Sequence, residues 1–211
     1  MDNKFHGNFT QQDGLPEIAI ERATRVLRSG RLHRYNLGKD EIGEVGSLEL
    51  EFAKFINVKY CLAVASGGYT LSTALRALGV GHGDNVLTNA FTLAPVPGAI
   101  ASVGAKPIFV GVTENLVIDL DDLEAKSQNA KVLMLSHMRG HICDMDKLLS
   151  ICTSNNIQLI EDCAHTMGAK WRDRWSGTDG VIGCYSTQTY KHINSGEGGL
   201  LVTNNPDIMA K

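Results

Sequence analysis

No apolar run in the chain approaches the ~20 residues that a bilayer-crossing helix requires, and the polar opening Met1 to Gln12 lacks the apolar stretch of a secretory signal. Both absences lead to the expectation of a cytoplasmic protein without membrane contact. An excess of basic charge is missing too. Twenty Lys and Arg stand against 23 Asp and Glu, for a formal net charge of −3, so no surface of the kind that phosphate backbones select is expected and nucleic acid is a poor partner. The five cysteines (Cys61, Cys143, Cys152, Cys163 and Cys184) are odd in number and widely spaced. That pattern speaks against a disulfide framework and against a zinc site; they read as reduced core residues, and no metal is expected. Internal repeats, low-complexity tracts and a dinucleotide-binding glycine fingerprint are all lacking, which leaves a plain nucleotide-binding domain without support.

What is present is an alternating text. With 211 residues, 43% hydrophobic and 20% charged, the chain is long enough for one sizeable core and too short for two large domains. Apolar positions at helical spacing from Leu15 to Ser29, with Gly30 at the C-terminal cap, predict an opening helix, and Leu48 to Ile56 predict a second. Then short apolar runs (Tyr60 to Ala65, Asn85 to Asn89, Pro107 to Val112, Val132 to Ser136, Ile157 to Ile160) alternate with helical segments near Tyr69 to Leu78, Ala94 to Val103 and Met145 to Ser154. This rhythm predicts an α/β fold with a mainly parallel sheet flanked by helices. Beyond Gly180 it changes. Val181 to Ser186 and Gly199 to Thr203 read as strands around a polar, Gly-rich loop containing Lys191, and Asn204 to Lys211 look like the start of a helix.

Three places along this text carry chemistry. Ser66-Gly67-Gly68 follows a strand and opens a helix, where backbone N–H groups and the helix dipole favour a phosphate; the two glycines would equally serve a tight turn. Glu161-Asp162 sets a carboxylate at the carboxyl end of a buried strand, where ligands of open α/β sheets bind; an isolated Asp there also serves as a helix cap. Ser186 and Lys191 lead into Gly196-Glu197-Gly198-Gly199, whose glycines allow unusual backbone angles beside a bulky ligand, although most lysines are solvated surface charges. The combination is what pyridoxal phosphate needs: an amine for its aldehyde, a carboxylate for its ring nitrogen, and amides with a hydroxyl for its phosphate.

The run Gly183-Cys184-Tyr185-Ser186 through Lys191 to Gly196-Glu197-Gly198-Gly199, preceded by Glu161-Asp162-Cys163-Ala164-His165, resembles the DegT/StrS-type sugar aminotransferases. Gly81-His82-Gly83-Asp84, Phe91-Thr92, His137-Met138-Arg139-Gly140-His141 and Asp144-Met145-Asp146 extend the resemblance, which covers the chain from about Leu15.

The resemblance implies the large domain of a fold type I (aspartate aminotransferase-like) enzyme dependent on pyridoxal phosphate, over residues 59–211, with residues 1–58 as a helical segment packed on it. Family members continue into a smaller C-terminal domain, so the expectation is a large domain cut short on that side. By the same resemblance Lys191 holds the cofactor covalently and moves the proton, Asp162 pairs with the pyridine nitrogen, His165 lies near the ring hydroxyl, and Ser186 with Ser66, Gly67 and Gly68 binds the phosphate. Two positions depart from the family pattern. Gly68 stands where a threonine is usual, leaving Tyr69 or Ser66 to supply a side-chain contact, and Leu93 stands where an aromatic residue often stacks on the ring. His137, Arg139 and His141 are candidates for the substrate mouth, with local hydrogen bonding as the competing role. The implied activity is transfer of an amino group, from a donor such as glutamate, to a nucleotide-linked keto sugar or a related cyclic ketone, by a protein that is a homodimer when full length. Lysine rather than histidine at position 191 favours transamination over the sugar dehydration of a few family members; a pyridoxal-phosphate-binding protein without catalysis is the other alternative.

Overall fold

The computed structural model describes residues 13–211; the polar opening Met1 to Gln12, read above for its lack of a signal, lies outside the described residues. Contacts divide the chain into two compact units, up to Glu44 and from Val45 onward. The first unit carries α1 (Glu17–Ser29), which ends where Gly30 adopts φ +67°, a left-handed cap that glycine reaches without strain. Arg31 forms a two-pronged pair with Glu41 in the same unit, at 2.8 and 2.9 Å. Among the described residues, no helix is long and apolar enough to cross a membrane.

The second unit is built on seven strands: β1 (Tyr60–Val64), β2 (Asn85–Asn89), β3 (Lys106–Val110), β4 (Val132–Ser136), β5 (Gln158–Asp162), β8 (Ile182–Ser186) and β9 (Gly199–Thr203). They lie side by side in the order β1-β9-β8-β5-β4-β2-β3. Neighbouring strands from β8 to β3 run parallel, and β9 is antiparallel to both β8 and β1. Six strands therefore share one direction, and their carboxyl ends line one edge of the sheet together with the amino end of β9.

Side chains alternate across the pleat, so each central strand feeds two cores. Val132, Met134, Ile160 and Ile182 pack with α3 (Gly67–Ala77) and α4 (Pro95–Ser102) through Leu71, Leu75, Val96 and Ile100. Leu133, Leu135 and Leu159 pack with α5 (Leu120–Lys126) and α6 (Met145–Ser154) through Leu123, Leu148 and Ile151. On that second face α2 (Glu44–Phe55) sets Phe52, Ala53 and Ile56 against Tyr185, Leu200 and Val202. The apolar side of α2 packs on the sheet through these residues.

The predicted elements are found with ends shifted by one or two residues in most cases. Two features escaped the sequence reading. Leu120–Lys126 is a helix too short to show a period, capped by Asp119, whose side chain accepts from the Asp121 and Asp122 amides. Lys170–Trp171 and Arg174–Trp175 (β6 and β7) form a two-residue hairpin shorter than any strand pattern. A terminal helical turn, α7 (Pro206–Met209), starts where the sequence suggested. All five cysteines are buried and free.

Candidate active site

Strand parity decides which residues meet. In the parallel register Ser136 lies opposite Asp162, and Asp162 opposite Cys184; these residues and Ser186 share the α3/α4 face. Their neighbours Leu135, Glu161 and Gly183 point to the other face. Glu161 and Asp162, adjacent in sequence, therefore end up in different environments.

Asp162 closes β5 at the carboxyl edge. Its Oδ2 accepts from Ser136 Oγ at 2.9 Å and its Oδ1 from the Ala164 amide at 3.1 Å, which fixes the plane of the carboxylate. Ser136 is held in turn by Asn89 at the end of β2: the Ser136 amide donates to Asn89 Oδ1 at 2.8 Å and Asn89 Nδ2 donates to the Ser136 carbonyl at 3.1 Å. Asn89 and Ser136 were not singled out from the sequence. Their only sequence signal is a polar residue closing an apolar strand at the ligand edge.

His165 follows in the turn after β5, and Lys191 reaches it from the Gly-rich loop, with Nζ 2.9 Å from His165 Nε2. The other ring nitrogen, Nδ1, accepts from the Arg139 amide at 3.3 Å. Partial burial lowers the Lys191 pKa; the Asp162 charge pulls the other way and that of Arg139 adds to the lowering. Burial, reinforced by the positive charge of Lys191, lowers that of His165.

Ser66 caps α3 by accepting from the Tyr69 amide at 3.1 Å, so Gly67 and Gly68 form the first turn, whose amides have no acceptor within the helix. This turn presses against the end of β8. A Cβ added to Gly67 would fall 2.7 Å from Ser186 Cβ and 3.1 Å from its Oγ, and one added to Gly199 would fall 2.5 Å from the Ser66 carbonyl oxygen. Ser186, buried, accepts from the Gln188 amide at 3.3 Å. Glycine is required here because three backbones converge around a cradle of free amides and two hydroxyls. Tyr69 stands 53% exposed and Leu93 45% exposed beside this edge of the fold.

The three residues named for a substrate mouth separate. His137 is 1% exposed and its Nε2 lies 3.0 Å from Glu161 Oε2, inside the α5/α6 face. Arg139, at φ +57°, and His141 are exposed on the turn beyond β4. Glu161, which the sequence reading passed over in favour of its neighbour, also accepts from the amides of Gly177 (3.0 Å), Asp179 (2.9 Å) and Gly180 (2.7 Å). Burial works to raise its pKa, but the His137 bond and these amides outweigh it and hold the carboxyl below the usual range. Together His137 and Glu161 pin the 177–180 segment to the underside of the edge that carries Asp162.

The DegT/DnrJ/EryC1/StrS aminotransferase family model matches residues 16–211. The chain belongs to this family. Over 154 residues it is 44% identical to a Micromonospora echinospora protein named as an L-glutamine:3-amino-2,3-dideoxy-scyllo-inosose aminotransferase, covering 72% of this chain and 37% of the relative. With a GDP-perosamine synthase of Escherichia coli O157:H7 it shares 37% identity over 166 residues, 78% of this chain and 46% of the relative. Among solved structures, an aminotransferase from Psychrobacter cryohalolentis superposes with a TM-score of 0.87 at 31% identity, over 95% of this chain and 50% of that one. The chain thus spans half or less of the length of these family relatives. Family membership indicates pyridoxal phosphate as the cofactor. The site fits that group on its own geometry, with a glycine-lined amide cradle beside two serine hydroxyls, a carboxylate fixed at a strand end, and a partly buried lysine amine held beside His165.

Proposed function

We propose that this chain is the cofactor-binding domain of an aminotransferase that aminates a ring ketone, either a cyclic polyol ketone or a nucleotide-linked keto sugar. The observation that carries the reading is the placement of the Lys191 amine beside His165, within the electrostatic reach of Asp162 and on the same sheet edge as the Ser66–Gly67–Ser186 cradle. When bound, pyridoxal phosphate supplies an aldehyde that takes up the amino group and a ring that draws charge from the carbon being deprotonated.

The chain's own residues divide the remaining work. Lys191 holds the cofactor through its amine and moves a proton between the substrate carbon and the position that receives the nitrogen. Asp162, oriented by Ser136 and Ala164, would hold a proton on the ring nitrogen, which would keep the ring an acceptor of charge. The Gly67 and Gly68 amides, with Ser66 and Ser186, bind the phosphate. Arg139 and His141, exposed on the turn beyond β4, are the residues proposed to meet the substrate, and His137 acts through Glu161 as a positioning residue. The donor is glutamine or glutamate, the first from the name of the 44%-identical relative. The working unit is proposed to be a homodimer.

The test is product analysis. With pyridoxal phosphate, glutamine or glutamate and a scyllo-inosose or a 4-keto hexose nucleotide, the protein is expected to yield the amino product by mass, and Lys191→Ala none. A dehydrated product without nitrogen would instead assign the dehydratase chemistry, and no product with any pair would contradict catalysis by this chain.

A further inference from the structure

Each nitrogen of a neutral imidazole has a single role: one carries the proton and donates, and the other accepts. His165 meets a partner at both. The partner of Nδ1 is the Arg139 backbone amide, at 3.3 Å, which can only donate. Nδ1 must therefore be the accepting nitrogen, and the ring proton must sit on Nε2. Nε2 in turn lies 2.9 Å from Lys191 Nζ. An ammonium at that distance would place a proton against a proton, whereas a neutral amine offers the lone pair that Nε2–H needs.

We infer that the Arg139 amide sets the tautomer of His165, and that His165, by donating from Nε2, holds Lys191 as the free amine before any cofactor arrives. His165 is thus a positioning residue for the nucleophile, in addition to any contact with the ring that family membership implies, and the inference deepens the function proposed above. Local structure supports it on both sides. The Arg139 amide is fixed because the Met138–Gly140 turn is closed by bonds from the Gly140 amide to the His137 carbonyl (3.1 Å) and from the His141 amide to the Met138 carbonyl (3.2 Å). Arg139 and Gly140 both adopt left-handed φ, +57° and +86°. The ring is fixed by a tight turn in which the Thr166 amide bonds the Cys163 carbonyl at 3.1 Å and the Ala164 amide bonds Asp162.

The charges around the pair come from three directions. Asp162 on β5 favours an ammonium at Lys191, Arg139 on the turn disfavours one, and His192 from the lysine's own loop acts on His165 in the same sense as Arg139. Burial also disfavours the ammonium. The consequence is kinetic. A solvated lysine is neutral in only on the order of one molecule in 10³ at pH 7, and only the neutral form attacks an aldehyde; a donor at Nε2 raises that fraction without a catalytic base.

The experiment has two arms on the full chain. In the first, nitrogen-15 NMR of the cofactor-free protein reads the His165 tautomer directly and does not depend on any reaction. A protonated Nε2 with a bare Nδ1 at pH 7 is expected; a protonated Nδ1 or an imidazolium would overturn the inference. In the second, the rate of pyridoxal phosphate capture by cofactor-free protein is followed in the visible spectrum against pH for wild type, His165→Gln and His165→Glu. Glutamine retains an N–H donor toward Lys191, so its rate midpoint should stay near wild type, whereas glutamate replaces the donor by an anionic acceptor and should move the midpoint upward by about one pH unit or more. Equal midpoints for the two variants would overturn the inference. If wild type captures no pyridoxal phosphate the cofactor reading fails, while the tautomer measurement still decides this one.

Discussion

Lys191 and Glu161 show how the same two forces, burial and fixed hydrogen bonds, set charge in opposite ways. At Lys191 burial outweighs Asp162 and the amine titrates below the 10.5 of a free lysine. Capture of an aldehyde is therefore expected to rise with pH and level off below that value, which stopped-flow absorbance would show; a rise that continues to the ordinary lysine range would contradict it. At Glu161 the His137 bond and three amides win over burial, and the folded pKa is depressed. A depressed carboxyl contributes stability that is fully present above the unfolded value near 4.5 and is lost as pH falls through the folded value. Glu161→Gln brings an amide N–H against backbone donors and is expected to cost about 2–4 kcal/mol, with Tm falling roughly 2–4 °C for each kcal/mol in a domain of this size. Thermal denaturation at pH 7 checks the loss. The same variant should show a flatter dependence of Tm on pH below neutrality than wild type.

Turns and strand ends position the chemistry more than the helices do. The start of α3 approaches β8 and β9 so closely that Gly67→Ala drives a Cβ into Ser186. Its expected effect is at least tenfold weaker binding of pyridoxal phosphate, about 1.4 kcal/mol, with far-UV circular dichroism unchanged. Titration by fluorescence quenching would measure it, and wild-type affinity in the variant would remove the cradle from the phosphate site. This cradle was legible in the sequence because a Ser-Gly-Gly between an apolar run and a helical period is a local pattern. Lys191 and Asp162 were legible only through their joint order along the chain, since neither position is informative alone. Asn89, Ser136 and the role of Glu161 were not legible, because their partners lie 47, 26 and 24 residues away and depend on strand register. Of the two roles open to His137 from its position after β4, substrate contact or local hydrogen bonding, its burial and its bond to Glu161 match the second, because strand parity turns it to the interior. The α5 helix and the β6–β7 hairpin are too short for a period to mark them.

At the scale of the molecule, the sheet gathers residues from six places in the chain onto one edge, which is why a fold with little local signature at its site still builds one. Apolar side chains are exposed within each unit: Leu15, Ile18, Leu27, Leu32 and Ile42 in the first, and Leu50 and Phe55 on α2 in the second. The homodimer proposed for the working protein is tested by sedimentation at micromolar concentration, where twice the monomer mass is expected and a monomer would contradict it.

The central claim is that Lys191 is the amine that receives pyridoxal phosphate. Borohydride reduction of the protein incubated with the cofactor, followed by peptide mass mapping, tests it most directly. The account predicts one reduced adduct, on the peptide containing Lys191, with Lys191→Ala leaving no adduct and no visible absorbance. An adduct on another lysine, or the same adduct yield in Lys191→Ala, would contradict it.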